Sequence, residues 1–95
     1  MTKRTKTTPD VFADLGFSPA EAENLRIRSA IMCALVTFIR KNQLTQARAA
    51  KLMGISQPRV SDLMRGKIHL FSIDNLVNLL AAAGLRANVR VNKAA

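Results

Sequence analysis

The chain has 95 residues, a formal charge of +9, one cysteine, and neither tryptophan nor tyrosine. That length allows one domain with a small core and leaves no room for a deep catalytic cleft. A lone Cys33 excludes an internal disulfide and a cysteine-based zinc site, and the apolar run from Ala30 to Ile39 is only about half of what spanning a bilayer requires.

The charge is unevenly spread. Residues 24–73 hold Arg26, Arg28, Arg40, Lys41, Arg48, Lys51, Arg59, Arg65 and Lys67 against a single acid, Asp62. Asp10, Asp14, Glu21 and Glu23 all lie upstream of that span. A concentrated basic span favours a polyanionic partner only where it coincides with a structure that presents it.

Residues 1–8 are polar and basic, with nothing to bury, and are read as a flexible tail. Residues 9–95 are read as one domain. Pro9 suits a helix start and Gly16 a helix end, so Pro9–Leu15 is expected to be a short helix. Val11, Phe12, Leu15 and Phe17 give it an apolar side that must dock on something. The sequence Ser18-Pro19-Ala20-Glu21 combines a cap, a proline suited to the first turn and a capping-box glutamate. It opens a helix expected from Pro19 to about Lys41. Its second half is apolar almost all round and should need covering on more than one side; Cys33 within it is read as buried and inert.

Asn42-Gln43 breaks that helix. Thr45 caps the next, Gln46–Met53, and Ser56 caps the one after, Gln57–Arg65, which Gly66 ends. In the loop KIHLF, the apolar Ile68, Leu70 and Phe71 are expected to fold back on the core. Ser72 caps a last helix, Ile73–Ala83, with Ile73, Leu76, Val77 and Leu80 on one face. The tail alternates Leu85, Ala87, Val89 and Val91 with Arg86, Asn88, Arg90 and Asn92. Period two predicts a strand over residues 86–91, which needs a partner; a second copy of the chain is the simplest. The fold class expected is all-α, a compact bundle of about five helices with a short C-terminal strand.

Residues 45–66 form the most informative stretch: two short helices joined by a tight turn. Ala50 leaves only a methyl group where the helices approach, and Gly54 accepts the positive φ of the turn. Ile55, Val60 and Leu63 are pegs that hold the second helix to the first, with Leu52 and Met53 behind them. This is a helix-turn-helix, a device for laying a helix in the DNA major groove, and it coincides with the basic span.

The start of such a helix faces base edges, so Ser56, Gln57, Arg59 and Ser61 are the candidates for base contact. Gln57 suits adenine and Arg59 guanine, although Arg59 also has the option of a phosphate; Pro58 offers an apolar face. Thr45 and Gln46, at the start of the preceding helix, are candidates for phosphate contact. Arg48, Lys51, Arg65 and Lys67 either join them or form a solvated face. The basic N-terminal tail either follows the DNA backbone or simply frays. One such module contacts few bases, so a homodimer on an inverted-repeat operator in double-stranded DNA is expected.

Thr45-Gln46, Ala49-Ala50, Leu52, Gly54-Ile55-Ser56-Gln57, Val60-Ser61, Leu63 and Gly66 resemble the XRE group of lambda-repressor-like helix-turn-helix proteins. DLGFSPAEAENLRIRSAI before the motif and FSIDNLVNLLAAAGL after it look like the small HigA-type antitoxins of type II toxin–antitoxin systems. Together these cover about residues 10–91. The resemblance implies a dimeric DNA-binding protein that represses its own operon and neutralises a small basic RelE/HigB-like ribonuclease toxin. It carries DNA contacts onto Gln46, Ser56, Gln57, Arg59 and Ser61. Val11–Phe17 and the first half of the long helix are candidates for toxin contact, or they complete the core. The alternative is a free-standing XRE-family regulator with no toxin partner.

Other classes fare worse. His69 is the only histidine and has no second ligand to share a metal, Ser61-Asp62 lacks a base, and no glycine loop cradles phosphate. No enzyme activity, metal or cofactor is expected. Single-strand and RNA binders stack bases on exposed aromatics, whereas Phe12, Phe17, Phe38 and Phe71 sit in core-like contexts. The start MTKRTKTTP has charge but no apolar segment after it, so a cytoplasmic protein without membrane contact is expected.

Overall fold

A computed structural model describes residues 15–94. They form four α-helices and one 3₁₀ turn: α1 Pro19–Lys41, α2 Gln46–Met53, α3 Gln57–Met64, the 3₁₀ turn Ile68–Leu70, and α4 Ile73–Ala82. Each α-helix starts where a hydroxyl can take an orphan amide. Ser18, Thr45, Ser56 and Ser72 accept the N–H groups of Glu21, Arg48, Arg59 and Asn75. At α1 the box closes, because Glu21 Oε1 accepts the Ser18 N–H at 3.0 Å. Hydrogen bonds from Ser18 to the carboxylate, first from its backbone N–H and then from its side chain, hold the Glu21 carboxyl below its ordinary pKa.

The helices also end alike. The N–H groups of Leu44, Ile55, Lys67 and Leu85 reach back to the carbonyls of Ile39, Ala50, Asp62 and Leu80 at 2.8–3.1 Å. Such a closure needs a left-handed residue just before the donor. Gln43, Gly54, Gly66 and Gly84 supply it. Leu44, Ile55 and Leu85 then pack on the core, which closes three of the four ends with an apolar contact.

The core sits where α1 crosses α4 and the α2–α3 pair leans on both. Leu35 and Ile39 from α1, Ala49, Ala50 and Met53 from α2, Val60 and Leu63 from α3, Phe71, and Leu76, Leu79 and Leu80 from α4 make one buried cluster. The long helix is therefore the scaffold, and the helix-turn-helix is mounted on it.

Several expectations change. Most of the predicted first helix, Pro9–Leu15, lies outside the described residues; Leu15 itself stands in a turn, so the described residues hold four α-helices rather than five. The strand expected at 86–91 does not form: residues 85–94 have no regular secondary structure. A strand needs a neighbour to take its N–H and C=O groups, and the described residues contain no other strand. Helix α3 stops at Met64 and α4 at Ala82, one residue early in each case.

Cys33 is exposed rather than buried. It belongs, with Ala30, Ala34 and Thr37, to an outward side of α1 that nothing in the described chain covers. Leu52, Leu70 and Val77, expected inside, are also exposed, while Ala49 and Leu79 are buried in the core.

Candidate nucleic-acid interface

The local chemistry of residues 45–66 builds the site. Gly54 sits at φ 70° and ψ 31°, so the chain reverses directly after α2 without steric cost. Ala49 and Ala50 let α3 approach closely, and Val60 and Leu63, both fully buried, fix its inner side. With about 3.6 residues per turn, Pro58, Ser61 and Arg65 fall on the side away from Val60 and Leu63. Gln57 and Arg59 fall on opposite flanks.

Gln57, in the first turn of α3, is exposed and has no hydrogen-bond partner among the described residues. Pro58 is exposed beside it, and Ser61 is half-buried one turn on. Ser56 accepts the Arg59 N–H at 3.3 Å, which leaves its own hydroxyl proton to donate. Thr45 accepts the Arg48 N–H at 3.1 Å in the same way. Beyond that cap, the amides of Gln46 and Ala47 in the first turn of α2 have no acceptor among the described residues. At α3 only the Gln57 amide is left over, because Pro58 has no N–H. The start of α2 thus offers the better pair of donors to an anion.

Arg59 behaves otherwise. Its Nη1 donates to the Leu70 carbonyl at 2.8 Å, and its guanidinium lies over the Phe71 ring, 4.0 Å from the centroid. Arg28, on α1, holds the same loop from the other side. Its Nη1 donates to the carbonyls of Ile68 and Phe71 at 3.0 and 3.2 Å, and its Nε donates to Asn24 Oδ1. Two arginines from different helices therefore grip three carbonyls of residues 68–71. The sequence gives no local sign of this, since Arg28 counts there simply as basic charge and Arg59 as a candidate for base contact.

The remaining charges separate by what they touch. Arg26 forms a two-point pair with Glu23 on the exposed face of α1; the guanidinium holds the Glu23 carboxyl below its ordinary pKa, and the carboxylate raises that of Arg26. Lys67 Nζ stands 3.8 Å from Asp62 Oδ1. Asp62, the one acid of the basic span, lies on the outward half of α3 and joins this surface, although its charge gives the sequence no reason to place it there. Arg48, Lys51 and Arg65 are exposed and free of ion pairs among the described residues. Arg48 and Lys51 flank an open depression on the outer side of α2, with Ala47 and Leu52. The structure thus brings Gln57, Pro58, Ser61 and Arg65 to one side of α3, leaves Arg48 and Lys51 beside it on α2, and turns Arg59 inward.

Among the described residues no group of histidine, cysteine and acidic side chains is placed to hold a metal, and no helix is long and apolar enough to cross a membrane. No curated protein matches the chain. One solved structure, described as an XRE family transcriptional regulator, is 34% identical with a TM-score of 0.71; the match covers 78% of this chain and 83% of that one. The sequence pattern of a helix-turn-helix domain family matches residues 11–92, nearly the whole chain. This chain belongs to that helix-turn-helix family and to the XRE family of transcriptional regulators.

Proposed function

We propose that the protein is a sequence-specific repressor that binds double-stranded DNA as a homodimer. The observation that carries this reading is the opening of α3. Gln57, without a hydrogen-bond partner among the described residues, and the hydroxyls of Ser56 and Ser61 stand on a helix whose inner side is fully buried. Gln57 pairs bidentately with an adenine edge, and the two serines add single hydrogen bonds. Thr45, Gln46, Arg48, Lys51, Arg65 and Lys67 hold the phosphates to either side. Arg59, whose position alone suits base contact, serves this surface instead by bracing α3 against the loop 68–71.

Selection from random duplex DNA in moderate salt tests the reading. The wild type should enrich an inverted repeat, and the Gln57→Ala variant should lose preference at one base pair in each half. Binding without any enriched sequence, vanishing as salt rises, would reduce the interaction to charge alone.

The repressor is further proposed to be the antitoxin of a type II pair, neutralising a RelE/HigB-like ribonuclease. The flanking segments that resemble HigA-type antitoxins support this, as do Leu15 and Phe17, which leave 69% and 41% of their surface exposed just before α1. The acids of α1 support it less, because Glu21 is tied to Ser18 and Glu23 to Arg26. Co-expression with the product of the adjacent reading frame decides the matter. Rescue from growth arrest that Leu15→Ser/Phe17→Ser weakens identifies the antitoxin; an adjacent frame without toxicity leaves a free-standing XRE-family regulator.

A further inference from the structure

The tail after α4 carries a pattern that the fold itself does not use. Leu85 packs on the core, and from there Ala87, Val89 and Val91 alternate with Arg86, Asn88, Arg90 and Asn92. Val89 and Val91 are 86% and 90% exposed. Past Leu85, no backbone group of the tail makes a hydrogen bond among the described residues. Yet the family match runs through residue 92, so the tail is part of the matched domain rather than an appendage to it.

We infer that this tail is an interaction surface for a second copy of the same tail, paired antiparallel with the two-fold axis at Val89. The inference deepens the homodimer proposed above by naming the segment and its register. Charge selects that register. With Val89 opposite Val89, each Arg90 faces an Asn88 and each Arg86 faces an Asn92, while Ala87 faces Val91 on the other side. Moving the axis to Asn88 sets Arg86 against Arg90, and moving it to Arg90 sets Arg90 against itself. Like charges directly opposite are destabilising. An axis at Ala87 avoids the clash but is cut short at Leu85, which is anchored to the body, and an axis at Val91 sets Val89 against Lys93 and loses the Ala87–Val91 pair. An axis between residues sets arginine against an apolar side chain, and the one between Val89 and Arg90 also sets Arg86 against Lys93. Only the Val89 axis pairs residues 85–93 in full without opposing two arginines.

In this ribbon the two Leu85 anchors lie eight residues apart along the strands, or about 26 Å. The bodies are thus separated on the scale of half-sites spaced about 34 Å.

Cross-linking tests the register directly. In an antiparallel pair the facing Cα atoms are about 4.5–5.5 Å apart, within the reach of a disulfide. Residues that face a different position are further from their own copy: about 13 Å along the strand for Val91. Cysteine is placed at 88, 89 or 91 in a full-length Cys33→Ser background, which removes the exposed native thiol. Under mild oxidation Val89→Cys should form covalent dimer at least about tenfold faster than Asn88→Cys or Val91→Cys. Equal rates at all three positions, or no cross-link at 89, overturn the register.

The double variant Val89→Lys/Val91→Lys should elute as monomer with unchanged helicity, since neither side chain touches the core. Elution as dimer would mean that the copies meet through another surface and the inference is wrong. None of these measurements uses DNA. A ribbon that cross-links at 89 while selection finds no operator leaves the tail inference standing and removes the DNA reading; the reverse result does the opposite.

Discussion

At the scale of single residues, Gln57 and Arg59 are near neighbours with opposite roles. Gln57 has no hydrogen-bond partner among the described residues and is exposed, whereas Arg59 is committed to Leu70 and Phe71. A base reader and a brace leave different marks. Gln57→Ala should cost roughly 1–3 kcal/mol of DNA affinity and relax preference at one base pair, with thermal stability unchanged. Arg59→Ala gives up a hydrogen bond and a cation–π contact, together about 1–2 kcal/mol of stability. It should weaken every DNA sequence alike, and a panel of single base substitutions in the operator separates the two patterns. Relaxed preference at one base pair in Arg59→Ala would put the guanidinium back on guanine. The sequence could not tell these residues apart. Side-chain aim depends on what lies across the fold, and Leu70 and Phe71 are not neighbours of Arg59 in the chain.

At the scale of elements, the boundaries were legible because their chemistry is local. A serine or threonine before each helix and a residue suited to positive φ after it mark the ends within one or two positions. Gln43 is the exception, a long side chain at φ 54° where the other three helix ends use glycine. That contrast makes a paired prediction. Gly54→Ala meets no atom within 4 Å, so its cost is purely conformational. It should amount to about 1 kcal/mol, a fall in Tm of about 4–8 °C for a domain of this size. Gln43→Gly relieves the same strain and should raise stability by up to about 1 kcal/mol. Thermal melts in which both variants move the same way would refute this account of the turns.

The opening of α1 adds a dependence on pH. Because the folded Glu21 carboxyl titrates below its ordinary value, its contribution is complete above the ordinary glutamate pKa of about 4.3. It is lost as pH falls through the lowered folded value. Glu21→Gln should remove that part of the acid dependence, read as a flatter loss of helicity on acidification. What the sequence hid at this scale was which apolar side chains stay outside. Cys33, Leu52 and Val77 have the right residue type for burial but the wrong angular position once α4 and the α2–α3 pair take their places.

At the scale of the whole molecule, the net charge overstates what is available to DNA. Arg28 and Arg59 hold carbonyls, Arg26 holds Glu23, and Lys67 lies near Asp62. Asp62 is the one acid within residues 24–73, half-buried on the outward half of the reading helix, where a phosphate or base edge would meet it. Its pairing with Lys67 is long and partly exposed, so the stability it adds is small, about 0–1 kcal/mol. Its effect on a polyanion is larger, because it both repels phosphate and competes for Lys67. Asp62→Asn should therefore tighten binding to operator and to unrelated duplex together, with little change in Tm. The gain should shrink as salt rises, since screening weakens the repulsion that was removed. The dependence of log K on log salt should steepen by up to about 0.9 for each Lys67 newly engaged with phosphate. Affinities measured at several salt concentrations read both effects at once. If Asp62→Asn instead weakened the operator and spared unrelated DNA, Asp62 would be accepting a hydrogen bond from a base, most simply cytosine N4. The one acid of the surface would then be a reader rather than a brake.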